Sequence, residues 1–226
     1  MNGNFPPLYA ILSADLLSSP SPEHAADFAL KLANAGVGII QYRNKRATAR
    51  TLLEISTEIS AALAGISARF IVNDRGDIAR LSGAGGVHVG QDDLQVEDAR
   101  AICQGIIPPN DRSASAKDFW VGVSTHTLEQ VRSAAATSAD YIAVGPIFAT
   151  STKQNHQAIV GTDFIRQARQ LTTKPLVAIG GITTATAVEV FRAGADSIAV
   201  ARDLICSENP ANRGAEYLAI AKNFRK

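Results

Sequence analysis

The chain of 226 residues is 46% hydrophobic and 19% charged, and 22 Lys+Arg against 21 Asp+Glu leave a formal net charge of +1. That composition excludes a disordered or fibrous chain. The near-neutral balance, without a basic block, removes the electrostatic case for nucleic-acid or membrane-surface binding and leaves small anions as ligands.

Taken in chain order, eight strand-length apolar runs recur: LYAIL at 8–12, GIIQY at 38–42, RFIVN at 69–73, GVHVG at 86–90, FWVGV at 119–123, YIAVG at 141–145, PLVAIG at 175–180 and SIAVA at 197–201. Between them lie segments with helical periodicity, AADFALKLANAG at 25–36, TLLEISTEISAALAG at 51–65, LEQVRSAAATS at 128–138 and ATAVEVFRAGA at 185–195. The runs are nearly continuous in apolar residues instead of alternating, as a parallel sheet covered on both faces requires. Their starts lie about 27 residues apart on average. Eight such units predict an α/β fold, a single (β/α)8 TIM barrel formed by residues 1–226 as one domain, in preference to a doubly wound sheet. Ala35-Gly36 and Ala193-Gly194 read as helix ends, where glycine takes the positive φ of a C-cap. Residues 104–118, QGIIPPNDRSASAKD, read as a loop insertion.

No uninterrupted apolar stretch reaches the roughly 18–20 residues of a bilayer span, so no membrane partner is expected. Cys103 and Cys206 sit in no CxxC pairing and no signal-peptide pattern opens the chain, so a reducing cytoplasm is expected. His24, His88, His126 and His156 lack the spacing of a zinc site.

A barrel of this kind gathers its site at the C-terminal ends of the strands. The second run ends in Gln41-Tyr42-Arg43-Asn44-Lys45, and the strand period of two puts Gln41 and Arg43 on one side with Lys45 close behind, able to share one ligand. Arg and Lys alone are consistent with a solvated basic loop; a glutamine inside the apolar run is less readily explained that way. The third run leads into Asn73-Asp74-Arg75 and the fourth into Gly90-Gln91-Asp92-Asp93. Neighbouring strands lie about 4.8 Å apart, so one carboxylate from each can meet at a hard cation. Mg²⁺ suits two carboxylates completed by phosphate oxygens and water better than Ca²⁺ does. The alternative reading makes Asp74 a helix cap and Asp93 the opening of the next helix.

After the fifth run come Ser124-Thr125-His126-Thr127, with Thr127 the expected cap of a helix starting at Leu128. The sixth continues to Thr150, Ser151, Thr152 and Lys153, three hydroxyls and an ammonium suited to phosphate oxygens. Gly180-Gly181 and Ala201-Arg202 lead toward helical segments whose backbone N–H groups can hold a phosphate. His88, inside a buried run, is expected to be a structural or orienting group and not a general base.

Together QYRNK at 41–45, NDR at 73–75, GVHVGQDD at 86–93, GVSTHT at 122–127, GPIFATSTK at 145–153 and AIGGI at 178–182 resemble the thiamine-phosphate synthases, and the resemblance covers nearly the whole chain. It implies a transferase that joins 4-amino-2-methyl-5-(diphosphooxymethyl)pyrimidine to thiazole phosphate with release of pyrophosphate. The resemblance further implies that the alkyl transfer is Mg²⁺-dependent and dissociative and needs no protein nucleophile. It implies that Gln41, Tyr42, Arg43, Asn44, Lys45, Asn73, Ser124 and Lys153 contact the pyrimidine diphosphate, with Arg43, Lys45, Ser124 and Lys153 as the catalytic set. Asp74 and Asp93 would ligate Mg²⁺, and Thr150, Ser151, Thr152, Gly181, Ala201 and Arg202 would hold the thiazole phosphate. A homo-oligomer follows by analogy only.

The chain departs from the family pattern in LYAILSAD, where a Thr-Asp pair is common after the Tyr, and at Arg202, where a serine is usual. Two other functions compete. A thiazole tautomerase-like isomerase would use His126 for proton transfer but has no evident use for a diphosphate clamp. A non-catalytic phosphate-binding barrel has no evident use for the acid pair.

Overall fold

The computed structural model describes residues 5–19, 21–105, 119–150 and 158–224. In chain order the elements are β1 (Leu8–Ser13), α1 (Pro22–Asn34), β2 (Ile39–Arg43), α2 (Ala49–Ala62), β3 (Arg69–Asn73), α3 (Gly76–Leu81), β4 (Gly86–Val89), α4 (Val96–Gly105), β5 (Trp120–Thr125), α5 (Leu128–Ala135), β6 (Tyr141–Val144), α6 (Gly161–Leu171), β7 (Leu176–Ile179), α7 (Thr184–Arg192), β8 (Ser197–Val200), α8 (Arg202–Ile205) and α9 (Pro210–Lys222). Each strand pairs in parallel with its sequence neighbours, and β8 pairs with β1 to close the barrel. The eight apolar runs are thus the eight staves of a (β/α)8 barrel.

Local chemistry sets the helix ends. Ser21 accepts from His24 N and Pro22 occupies the first helical turn, so α1 begins three residues before its apolar period does. Thr127 and Gln130 form a capping box on α5, as the sequence suggested for Thr127. Gly36 at φ +92° and Gly194 at φ +107° take the left-handed conformation expected of them. Helices α3, α4, α6, α8 and α9 were not read from periodicity. Two of these span only six and four residues, too few to show a period. Helix α9 announces itself instead by Asn209, which accepts from Asn212 N, followed by Pro210. Helix α4 takes the first two residues of the expected insertion, and 106–118 lie outside the described residues.

Alternate strand residues face two different environments. Leu8, Ala10, Leu12, Ile40, Tyr42, Val72, Val87 and Val121 face outward into one core shared with the helices, whereas Tyr9, Ile11, Ile39, Ile71, Tyr141, Ala143, Val177 and Ala199 fill the barrel interior. Gly122 makes room for this filling, since a Cβ there would lie 2.0 Å from Tyr141 Cζ. At the N-terminal end Phe5 stacks on Trp120 with centroids 5.2 Å apart, and the Arg69 guanidinium lies 4.2 Å from the Trp120 ring centroid. Buried Asp196 accepts from Arg169 Nη1 at 2.8 Å and from Leu176 N at 2.9 Å, tying β8, α6 and β7 together at the same end. Every feature of the site described next lies at the opposite end.

Candidate functional site

The end of β2 splits by alternation. Gln41 points into the barrel, where its Nε2 donates to Asn73 Oδ1 at 2.5 Å and its Oε1 accepts from the Tyr9 hydroxyl at 2.6 Å. Arg43, two residues on, lines the cavity at the barrel mouth and has no partner among the described residues. Tyr42 goes the other way. It is fully buried in the outer core, and burial pushes its phenol pKa up, opposed by the Asn44 Nδ2 donor at 3.2 Å. The structure therefore keeps the Tyr42 side chain out of the site. Asn44 also serves the loop, its Oδ1 accepting from Arg46 N and Ala47 N. Its side chain shapes the turn that carries Lys45 instead of facing a ligand.

The acids of β3 and β4 converge. Asp74 and Asp93 lie close enough for the charge of one to act on the other, and Lys45 Nζ lies 3.0 Å from Asp74 Oδ2. Burial, more than any other effect, lifts the Asp74 carboxyl above its ordinary pKa; Asp93 adds to the rise and Lys45 opposes it. Asp74 adopts φ +64°, a left-handed conformation that costs a non-glycine residue about 1–2 kcal/mol. Its N–H donates to His88 O at 2.8 Å, which pins this turn to β4. Asp74 is not a helix cap, since Arg75 occupies that position. Nor does Asp93 open a helix: its Oδ2 accepts from Gly90 N at 2.8 Å and α4 starts only at Val96. Exposed Asp92 takes no part in these contacts.

Two like charges held together in a partly buried, strained turn suit a hard divalent cation. Among the described residues no third His, Cys, Asp or Glu joins them, so Mg²⁺ held here would complete its shell with substrate oxygens and water.

Beside the acids a cavity of about 360 Å³ opens, lined by Arg43, Ser124, His126, Thr150, Gly181 and Arg202 among others. Its floor is apolar, with Ile11, Ile179, Ile182 and Val200 contributing. Gly181, at φ +62°, lies where a Cβ would stand 2.3 Å from Ala149 O, so only glycine lets the β7 loop close against the β6 loop. Arg202 is exposed at the cavity and, like Arg43, has no partner among the described residues. The Ala201-Arg202 turn lines the cavity too. Ser151, Thr152 and Lys153 lie outside the described residues. His126 donates from Nδ1 to Gly145 O at 2.6 Å, which orients its ring at the cavity wall.

Sequence reasoning assigned no site role to Tyr9 or Tyr141. Both are buried phenols linked to Gln41 and, through His88, to Ser124. His88 does orient a site residue, its Nε2 lying 2.8 Å from Ser124 Oγ. The available signal was the polar atom each tyrosine carries into an interior that offers few partners.

The family model described as thiamine monophosphate synthase matches residues 8–204. The thiamine-phosphate synthase of Koribacter versatilis is 44% identical over 216 residues, 95% of each chain. That of Chloroflexus aurantiacus is 38% identical over 202 residues, covering 89% of this chain and 86% of the relative. Among solved structures, the thiamine phosphate pyrophosphorylase of Pyrococcus furiosus aligns with a TM-score of 0.83 at 27% identity, covering 99% of both chains.

Proposed function

The chain belongs to the thiamine monophosphate synthase family and is a transferase of thiamine biosynthesis, and on that premise we propose that it condenses 4-amino-2-methyl-5-(diphosphooxymethyl)pyrimidine with thiazole phosphate, giving thiamine phosphate and pyrophosphate. The reaction is assigned to the cytoplasm, with Mg²⁺ held by Asp74 and Asp93. The observation that carries this reading is the division of the barrel mouth. An acid pair with Lys45 stands on the β2–β4 side, and Arg43 leads into an apolar cavity rimmed by Arg202, Thr150 and Gly181. One region suits a metal-bound diphosphate and the other a small phosphorylated heterocycle.

Bond breaking between the pyrimidine methylene and diphosphate builds negative charge on the departing oxygen. Bound Mg²⁺ supplies Lewis acidity toward that charge. Arg43 and Lys45 add fixed positive charge, joined by Lys153 of the TSTK segment. Ser124, Gln41 and Asn73 hold the aminopyrimidine, whose electron-rich ring delocalises the cation left on the methylene carbon. Thr150, Ser151, Thr152, Gly181 and the Ala201-Arg202 turn hold the thiazole phosphate so that the ring nitrogen captures that carbon. A C–N bond replaces the C–O bond and pyrophosphate leaves with the bonding pair. The apolar floor limits water, which would otherwise trap the cation as an alcohol. No thiol nucleophile is needed, and burial pushes the Cys103 thiol up to about 11, where it stays protonated.

Purified protein incubated with both substrates and Mg²⁺ is expected to yield thiamine phosphate by mass spectrometry. Folded protein that yields none refutes the assignment, and conversion of a thiazole phosphate alone, without the pyrimidine, would favour the isomerase reading. Asp93→Ala is expected to cut turnover steeply while the far-UV spectrum stays unchanged; unaltered turnover at limiting Mg²⁺ would remove Asp93 from the metal site.

A further inference from the structure

A row of polar side chains crosses the apolar barrel interior from β3 to β5, and the reaction above does not use its middle members. Asn73 Oδ1 accepts from Gln41 Nε2 at 2.5 Å, Gln41 Oε1 accepts from Tyr9 OH at 2.6 Å, and the hydroxyls of Tyr9 and Tyr141 meet at 2.9 Å. Tyr141 OH meets His88 Nδ1 at 3.1 Å, and His88 Nε2 meets Ser124 Oγ at 2.8 Å. The His88 ring lies alongside that of Tyr141, with centroids 5.6 Å apart and planes within 20° of parallel. Gly122, opposite His88 in the β4–β5 register, is the position whose missing side chain lets Tyr141 reach across.

Each phenol has one proton to give, and burial keeps both phenols protonated by raising their pKa values. The Tyr9 proton goes to Gln41, so the Tyr9 oxygen must receive the proton of Tyr141. The Tyr141 oxygen must then receive a proton from His88 Nδ1. A neutral imidazole protonated on Nδ1 carries only a lone pair on Nε2, and that lone pair takes the proton of Ser124. The sense of the whole row follows from the orientation of one carboxamide, Gln41. At the Ser124 end the hydroxyl is left with lone pairs for a ligand. At the other end Asn73 Oδ1 is engaged, leaving its NH₂ to donate.

We propose that Tyr9, Tyr141 and His88 are positioning residues that fix Ser124 as an acceptor and Asn73 as a donor, so that the site selects an amino-substituted pyrimidine over the same ring bearing a carbonyl. The selection rests on the assignment of the pyrimidine to Gln41, Asn73 and Ser124. A carbonyl beside Ser124 would set acceptor against acceptor. Accommodating it means reversing every link in the row, including both carboxamides. Sites built to match a donor on the substrate discriminate against analogues that lack it by orders of magnitude, so the amino ring is expected to be preferred by at least about 100-fold in kcat/KM.

Two measurements test this. In ¹⁵N-histidine-labelled protein without substrate, His88, identified by the resonance lost in His88→Asn, is expected to show a protonated Nδ1 and a bare Nε2. Tyr9→Phe lies two links from the imidazole, yet it leaves Tyr141 without its acceptor and able to donate to His88 instead, so the His88 proton should move toward Nε2. A purely structural role for Tyr9 would leave the tautomer where it was. A proton on Nε2 in the unsubstituted protein, or a tautomer indifferent to Tyr9→Phe, overturns the proposal.

In the second measurement, the amino-to-oxo ratio of kcat/KM is expected to fall about tenfold or more in Tyr9→Phe while the KM for thiazole phosphate holds. An unchanged ratio overturns the selection. If neither ring turns over in the unsubstituted protein, the reaction assignment and with it the selection fail, whereas the row's polarity is decided by the nitrogen spectrum alone.

Discussion

Replacing Gly122 by alanine puts a methyl group into space that the Tyr141 ring already fills. A Cβ there would stand 2.0 Å from Tyr141 Cζ and 2.3 Å from its hydroxyl oxygen. Ordinary carbon contacts lie at roughly 3.5–4.0 Å, so the ring must retreat by about 1.5 Å. Retreat is obstructed by Phe5, Tyr9, His88 and Trp120, whose ring centroids lie 5.6, 5.8, 5.6 and 6.3 Å from that of Tyr141. Overpacking of this kind costs about 1–3 kcal/mol, and drawing the hydroxyl away from Tyr9 and His88 gives up two buried hydrogen bonds at about 1 kcal/mol each. A destabilisation of about 3–5 kcal/mol follows. In a chain of this length that lowers Tm by about 6–20 °C. Urea unfolding followed by circular dichroism measures it, with the slope against denaturant expected to match that of the unsubstituted protein. A loss below about 1 kcal/mol would mean that Tyr141 does not cross β5 at Gly122, and the account of the barrel interior would be wrong.

Three further outcomes are expected. Because the folded pKa of Asp74 is raised, its contribution to stability is intact below the ordinary carboxylate pKa and is lost as pH rises through the raised value. Asp74→Asn should therefore remove that loss, so that Tm of metal-free protein rises more steeply with pH across the same window. Mg²⁺ at neutral pH should raise Tm in the unsubstituted protein and not in Asp74→Asn, and equal responses would contradict the metal assignment. Arg202→Ser should raise the KM for thiazole phosphate about tenfold or more with kcat nearly unchanged; an unmoved KM would show that the guanidinium does not reach the phosphate. Asp196→Ala should destabilise by about 3–5 kcal/mol, since it removes the carboxylate partner of Arg169 and leaves the Leu176 N–H without its acceptor. Turnover per folded molecule should hold, because the change lies at the far end of the barrel.

The barrel was legible because eight buried parallel strands leave a signature that local sequence carries: continuous apolar runs, with glycine after the helices at Gly36 and Gly194. The polar strand ends were legible for the same reason, since the architecture says where to look. Tyr42 and Asn44 show the limit. A motif brings adjacent residues in together, but strand alternation turns Tyr42 into the helix layer, and Asn44 is consumed by the turn it shapes. Asp74 shows another, because its left-handed backbone and its meeting with Asp93 arise from the β3–β4 packing and not from NDR itself. Tyr9, Tyr141 and His88 sit in runs that read as plain core, and only closure of the sheet brings β1, β4 and β6 face to face across the interior.

Trp120, the sole tryptophan, is packed against Phe5 and Arg69 at the floor of the barrel. Its emission is therefore a built-in gauge of whether the cylinder is shut below. It will change sharply when the staves come apart, yet it stands at the opposite end from the mouth and should scarcely register a substrate arriving there. Titrations of ligand affinity in this protein accordingly call for an extrinsic label near the rim or for calorimetry, while intrinsic fluorescence is best kept for unfolding.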